Sequence, residues 1–358
     1  SGPVAVSGLV EAARALTVSM LTTSLRRRVL LVVHDATAAA AWTRDLAALA
    51  GMSGRDPQRV VLFPALDADP YDGIGAHPEV VRERVVALGR IARGDIDVLV
   101  APVRTLLDWL PSPEEWYGQW RTIRAGDDLP PDRFVLGAMA SGYRRVDVVS
   151  GPGEVSRRGG IVDLFPPTVD EPVRIELFGD TVDSLRAFDT DHQRSTGTLR
   201  EVVFGPASEN PPTEAAVERL RAFLERGHRD VTDDARAARE FRTILDTLTD
   251  EGDLPGFEAL TALTAERPSS LFEHVGDWLI VLDEPARTDD ALIRADHDAR
   301  QAYEDSDNRV FPPPGRMLVD PRRVRDRLAR AGLRLHELTD DEGVADVLTI
   351  QARSARSY

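Results

Sequence analysis

Two short segments carry residue types that a nucleotide site would use. Gly8-Leu9-Val10-Glu11-Ala12-Ala13-Arg14-Ala15 falls in the register of a phosphate-binding loop. In such a loop glycines admit phosphate to the backbone, a lysine reaches it and a hydroxyl holds magnesium. Here Ala13 stands for the second glycine, Arg14 for the lysine and Ala15 for the hydroxyl, and Glu11 adds a negative charge inside the cradle. Each change opposes triphosphate binding, and a plain helix start is the other reading of the segment. Asp283 and Glu284 follow the apolar run Trp278-Leu279-Ile280-Val281-Leu282. That is the position of carboxylates that hold magnesium and activate water. Strands often end in Asp, so the pair alone says little. Beside the altered loop at Gly8 it reads as a nucleotide fold that has lost its nucleotide, with no catalytic residue and no cofactor expected.

Other chemistries are narrower still. The chain has no cysteine, which excludes thiolate nucleophiles, disulfides and cysteine-ligated zinc. All 44 basic residues are arginine, so neither a Schiff-base lysine nor a phosphate-loop lysine is available. The seven histidines are scattered singly, without metal-ligand spacing. Gly151-Pro152-Gly153 and Gly159-Gly160 form no phosphate loop, because no helix follows them, and they fit hairpin turns.

The elements that would position these residues fall into three stretches. The first third alternates strands and helices. Val29–Val33, Val60–Phe63 and Ile96–Ala101 are short apolar runs, as buried parallel strands require. Asp35 or Thr37 can cap the helix after the first, and Gly51 is expected to stop it. Pro78 opens a second helix that Gly94 ends. From Tyr143 the pattern turns to short strands with tight turns: Tyr143–Val149, Gly160–Leu164, Val173–Phe178 and Ser184–Phe188. Gly179-Asp180 is a hairpin tip, Asp132–Met139 a helix, and Pro206–Pro212 an exit linker. The last third is mostly helical, with Glu214–Arg226 and Thr232–Leu248, around the single strand Trp278–Leu282. A lone strand cannot form a sheet, so it should join the first third's sheet, making the middle stretch an insertion. The length, 358 residues, suits two or three domains.

The net charge of −16 argues against nucleic-acid binding through the general surface, although a local arginine patch stays open. No apolar run approaches the roughly 20 residues of a membrane helix, and no signal peptide is evident near the first residues. A cytoplasmic protein without a membrane partner is expected.

One strand pair stands out. In Pro172-Val173-Arg174-Ile175-Glu176-Leu177-Phe178 a period of two sends Val173, Ile175 and Leu177 to one face and Arg174, Glu176 and Phe178 to the other. The apolar set is the core face. The opposite face shows arginine and phenylalanine together, the composition of protein-binding hot spots, or else a solvated face with one half-buried ring.

The residues resemble a known family. The matching segments are Phe63-Pro64-Ala65-Leu66-Asp67-Ala68-Asp69-Pro70-Tyr71-Asp72, His77-Pro78-Glu79, Arg82–Arg84 and Ser141-Gly142-Tyr143-Arg144-Arg145-Val146-Asp147. Gly153-Glu154, Arg158-Gly159-Gly160, Asp163-Leu164-Phe165-Pro166, Phe178, Asp183–Arg186, Phe188-Asp189 and Leu282-Asp283-Glu284-Pro285 continue the series. Together they resemble the amino-terminal region of the bacterial transcription-repair coupling factors, the Mfd family, a region similar to the excision-repair protein UvrB. The likeness is dense between Phe63 and Phe188 and thinner after Pro212.

The resemblance implies a degenerate RecA-like, UvrB-like α/β domain with a parallel sheet and a small inserted α+β domain. The division would be 1–120 for the first part of the platform, 121–208 for the inserted domain and 209–358 for the part that completes the platform. It implies that the inserted domain binds UvrA, with the family's two arginines and phenylalanine falling on Arg158, Arg174 and Phe178. It also implies a degenerate nucleotide site at Gly8, Ala13, Arg14, Ala15, Asp283 and Glu284. In intact family members other domains engage RNA polymerase and double-stranded DNA, and a carboxyl-terminal domain masks the UvrA surface. The polymerase-binding domain and the translocase motor are not found in this sequence, so it is expected to act as a UvrA-recruiting adaptor without catalysis of its own. The alternative is a UvrB-type, ATP-dependent damage-processing protein. The missing phosphate-loop lysine and the absence of a long aromatic hairpin weigh against it.

Overall fold

The computed structural model describes residues 4–9, 11–66, 68–71, 73–231, 235–251, 253–307, 309–336 and 347–349. Val10, Asp67, Asp72 and the side chain of Glu11, all part of the motifs above, lie outside the described residues.

The first stretch runs β1 (Val4–Ser7), α1 (Glu11–Leu25), β2 (Val29–Val33), α2 (Ala36–Met52), β3 (Val60–Leu62), α3 (Pro78–Arg93) and β4 (Val98–Pro102), then the short β5 (Leu110–Pro111) and α4 (Pro113–Tyr117). The middle stretch comprises β6 (Arg121–Arg124), α5 (Pro131–Ala140), β7 (Arg144–Arg145), β8 (Glu154–Arg158), β9 (Ile161–Phe165), β10 (Val173–Phe178), β11 (Thr181–Phe188), β12 (Ser195–Leu199) and β13 (Glu201–Phe204). The last contains α6 (Glu214–Asp230), α7 (Ala235–Glu251), α8 (Thr261–Thr264), β14 (Pro268–Ser269), α9 (Leu271–Val275), β15 (Leu279–Asp283), α10 (Pro285–Asp305), α11 (Pro314–Met317), α12 (Pro321–Leu328), β16 (Leu333–Leu335) and β17 (Val347–Thr349).

Seven strands form one parallel sheet in the order β17-β1-β16-β15-β2-β4-β3. The expected union of first and last thirds is present, since β15 pairs with β2 in register Leu279↔Val29 to Leu282↔Val32. All five residues of β2 are fully buried, because helices cover both faces. Leu30 and Val32 pack toward α3, α9, α10 and α12, while Val29, Leu31 and Val33 pack toward α1 and α2. Of the two candidate caps for α2, Asp35 serves, accepting from the Ala38 N–H. Gly51 does not stop that helix. It continues to Met52 and ends at Ser53, whose hydroxyl bonds the Leu49 and Ala50 carbonyls. Gly94 ends α3 in the left-handed region, as its position predicts.

The middle stretch forms a separate six-stranded sheet, β12-β11-β10-β9-β8-β7, antiparallel except at β7–β8. Its apolar face, with Val155, Val162, Ile175 and Leu185, packs beneath α5 and the β6–β13 ribbon. Gly179-Asp180 is the tip between β10 and β11, with Gly179 at φ +64°. The expected strand Tyr143–Val149 shrinks to Arg144–Arg145. Beyond it Val146 and Val149 pack on Phe165 and Phe188 at the end of the other sheet face.

Pro206–Pro212 is not a loose linker. Residues 206–211 are buried, and Glu209 lies against Arg84 of α3 with neither side chain exposed by more than 1%. Trp120 wedges in beside them: a Cβ on Gly89 would stand 3.1 Å from its ring and one on Gly205 only 2.5 Å. The predicted helix Thr232–Leu248 is Ala235–Glu251, residues 232–234 lying outside the described set.

Candidate functional site

The period-two reading of β10 holds in the sheet: Val173 and Ile175 are buried, Arg174 and Glu176 are half-buried and Phe178 is exposed. Asp163 in β9 lies directly opposite Arg174 in β10 and opposite Ser156 in β8. Arg158, two residues beyond Ser156, therefore reaches the same face. The pattern does not reveal what joins the two arginines. Arg174 Nε and Nη2 donate to the two oxygens of Asp163 at 2.7 and 2.9 Å, and Arg158 Nη2 donates to one of them at 3.0 Å. Asp163 is 1% exposed.

Arg174 is engaged further. Its Nη1 donates to the Gln193 carbonyl at 3.2 Å, and its guanidinium lies 4.6 Å from the centroid of the buried Phe188 ring. The Asp163 carboxylate, through its hydrogen bonds above all, holds the Arg174 guanidinium more firmly protonated than usual. Arg158 is half exposed. Next along the face, Glu176 accepts from the Ser184 hydroxyl at 2.6 Å and stands 3.6 Å from Arg186. Phe178 closes the row at the hairpin tip, 85% exposed and the most outward aromatic ring among the described apolar side chains. The structure thus brings Arg158 and Arg174 together through Asp163, with Phe178 further along the same face. Asp163 was the residue that sequence reasoning missed. Its signal was an acid at the centre of an otherwise apolar strand, Ile161-Val162-Asp163-Leu164-Phe165.

The second group of residues gathers at the platform. Arg14 in α1 is buried, and its Nη1 donates at 2.8 Å to both Asp283 Oδ1 and Glu284 Oε1. Trp42 Nε1 donates to the other Asp283 oxygen at 3.0 Å. Burial pushes the Asp283 carboxyl upward, and the Arg14 guanidinium works against that. Gly8 follows β1 at φ +77°, and Ala15 is packed into the core with Val18. Arg14, His34, Trp42, Asp283, Glu284 and Arg287 line a cavity of about 100 Å³. Among the described residues no group of three or more His, Asp or Glu is placed to hold a metal ion. No helix among them is long and apolar enough to cross a membrane.

An open parallel sheet bearing a second, antiparallel sheet with an arginine–phenylalanine face is the architecture, and the middle stretch gives it a class. Residues 122–210 match the family described as the UvrB interaction domain. Across 79% of its length the chain is 32% identical to the transcription-repair-coupling factor of Bacillus subtilis (strain 168), covering 24% of that protein. It is 30% identical to the transcription-repair-coupling factors of Staphylococcus aureus strains bovine RF122 / ET3-1 and Mu50 / ATCC 700699, over 78% of this chain and 24% of each. These matches bear out the resemblance to the amino-terminal region of the transcription-repair-coupling factors that was read from the residues. The chain spans about a quarter of the length of these relatives.

Proposed function

We propose that the chain is a UvrA-recruiting adaptor, in which residues 121–208 form the docking unit and residues 1–120 and 209–358 form its platform. The exposure of Phe178 at the tip of a charged, solvent-facing sheet surface carries the reading. An aromatic side chain left almost wholly in water, on the same sheet face as arginines, has the make-up of an interface anchor. The match of residues 122–210 to the UvrB interaction domain supports the same stretch. Arg158 supplies a charge-assisted donor to a UvrA carboxylate, and Phe178 fills an apolar slot. In the intact protein this module links stalled RNA polymerase to excision repair through other domains that engage polymerase and double-stranded DNA, and it works in the cytoplasm.

The platform has no ATPase activity of its own in this reading. Arg14 sits on the two carboxylates that would otherwise hold magnesium, and the cavity there is well below the roughly 300 Å³ at which ligand pockets begin. Gly8, Ala13, Arg14, Ala15, Asp283 and Glu284 are then the remnant of a nucleotide site.

Calorimetric titration with UvrA tests the adaptor. Wild-type chain should bind, and Phe178→Ala should lose about 2 kcal/mol, roughly thirty-fold. Unchanged affinity in Phe178→Ala would overturn the assignment. The UvrB-type alternative is tested by heating the chain with ATP. Saturating ATP bound at micromolar Kd would stabilise the fold by a few kcal/mol, and the adaptor reading expects no shift.

A further inference from the structure

Resting on the reading that this face docks UvrA, we infer that its two arginines have different duties: Arg158 contacts the partner, while Arg174 and Asp163 form the plate that positions it. The difference lies in how much of each guanidinium is already spent. Arg174 is 14% exposed, and three of its five N–H donors are given to Asp163 and Gln193. Its flat side lies on Phe188. A partner's carboxylate could take the Nε/Nη2 edge of Arg174 only by displacing Asp163, which is already buried and held there by two parallel bonds.

Arg158 offers the reverse. It is half exposed, and the described residues give it one hydrogen bond, from Nη2 to Asp163. Four of its five N–H donors remain, among them one complete edge for a second carboxylate, the fork geometry that arginine favours. Asp163 stays satisfied by Arg174 when Arg158 turns outward, so engagement leaves no buried charge alone.

Charge balance defines the partner's side of the contact. Two arginines and one carboxylate leave one surplus positive charge, and the neighbouring Glu176 and Arg186 offset each other at 3.6 Å. The partner surface therefore brings a single carboxylate to Arg158 and an apolar slot to Phe178. The two anchors lie on strands separated by β9, with Phe178 two residues further along, hence roughly 12 Å apart on the sheet. A partner presenting a pair of carboxylates would meet Asp163 and Glu176 with its second charge.

The test uses arginine-selective modification by phenylglyoxal, read by peptide mass spectrometry, on the wild-type chain free and saturated with UvrA. Arg158 should react in the free chain and be protected by UvrA, and Arg174 should stay unreactive in both states. Modification of Arg174 in the free chain with protection by UvrA would overturn the inference, as would Arg158 reacting equally in both states. A calorimetric cycle adds a second readout. Arg174→Gln should weaken UvrA binding about ten-fold or more in the wild-type background but less than about three-fold in Arg158→Ala, the non-additivity of residues acting through one another. An equal loss in both backgrounds, in a variant whose melting curve is unchanged, would make Arg174 a direct contact. Wild-type chain that fails to bind UvrA at all would remove the docking reading itself, a result distinct from binding with the wrong arginine protected.

Discussion

Arg84 and Glu209 meet through two hydrogen bonds, Nε to Oε2 at 2.5 Å and Nη2 to Oε1 at 3.0 Å, with both side chains shut off from water. Arg84 also donates to Asp108 at 3.1 Å and lies over the Phe63 ring. Asp108 in turn accepts from Arg104 at 2.8 Å. The contact ties α3 of the platform to the segment that leaves the inserted sheet.

Removing one partner of such a pair strands the other in the interior. Arg84→Ala should cost about 3–5 kcal/mol of stability, read as a lowered denaturation midpoint. Glu209→Gln, which keeps the shape and one acceptor, should cost less. Equal stability of Arg84→Ala and wild type would mean that the pair contributes nothing.

The Trp120 wedge makes a second prediction. A methyl on Gly205 would overlap the indole at 2.5 Å, so Gly205→Ala should destabilise by about 1–3 kcal/mol through overpacking. Trp120→Phe in the same chain should recover part of that loss. Additive losses would locate the strain elsewhere.

Arg14→Ala should also cost about 3 kcal/mol or more, because it leaves Asp283 buried beside Glu284. The double variant Arg14→Ala, Asp283→Ala should be less destabilised than the sum of the two single changes. Urea midpoints of the four proteins measure the coupling.

His274 gives the fold a pH dependence. It is buried on α9, where its Nε2–H donates to the Pro111 carbonyl at 2.9 Å and Nδ1 accepts from the Tyr117 hydroxyl at 3.4 Å. Burial pushes its pKa below 6.5, so the folded state keeps it neutral while the unfolded state takes up a proton. That contribution is complete above about pH 6.5 and is lost as pH falls below it. Between pH 7.5 and 5.5, His274→Gln should therefore lose less melting temperature than wild type. Parallel slopes would contradict this.

Phe178→Ser should leave stability within about 0.5 kcal/mol of wild type, since the ring is almost wholly in water. A marked loss of stability would mean that the ring supports the fold, and its effect on UvrA could then not be assigned to contact.

Much of this architecture was legible in the residues. The runs at Val29–Val33 and Trp278–Leu282 had the β-branched, unbroken character of buried parallel strands, and the isolation of the second demanded the pairing with β2 that the sheet contains. Asp35, Gly94 and Gly179 marked their caps and turn through local chemistry. Pro206–Pro212 misled for the same reason. Its prolines describe a backbone without regular structure, while the burial of Glu209 depends on Arg84 in a distant helix. On the arginine–phenylalanine face, alternation gave the side on which Arg174 and Phe178 lie. It could not tell that Arg174 is consumed from within, because that needs the register of β9 against β10, which sets Asp163 opposite it.

The place of β15 in the sheet has a consequence for how the molecule is made. β15 lies between β16 and β2, so the platform's central strand leaves the ribosome only after the whole inserted sheet. The inserted antiparallel sheet draws its neighbours from hairpins close in sequence and closes with short loops. Local pairing of this kind forms sooner than pairing across long separations. The inserted sheet can thus acquire its shape while β2 still waits for β15, leaving an apolar strand edge that is prone to aggregate.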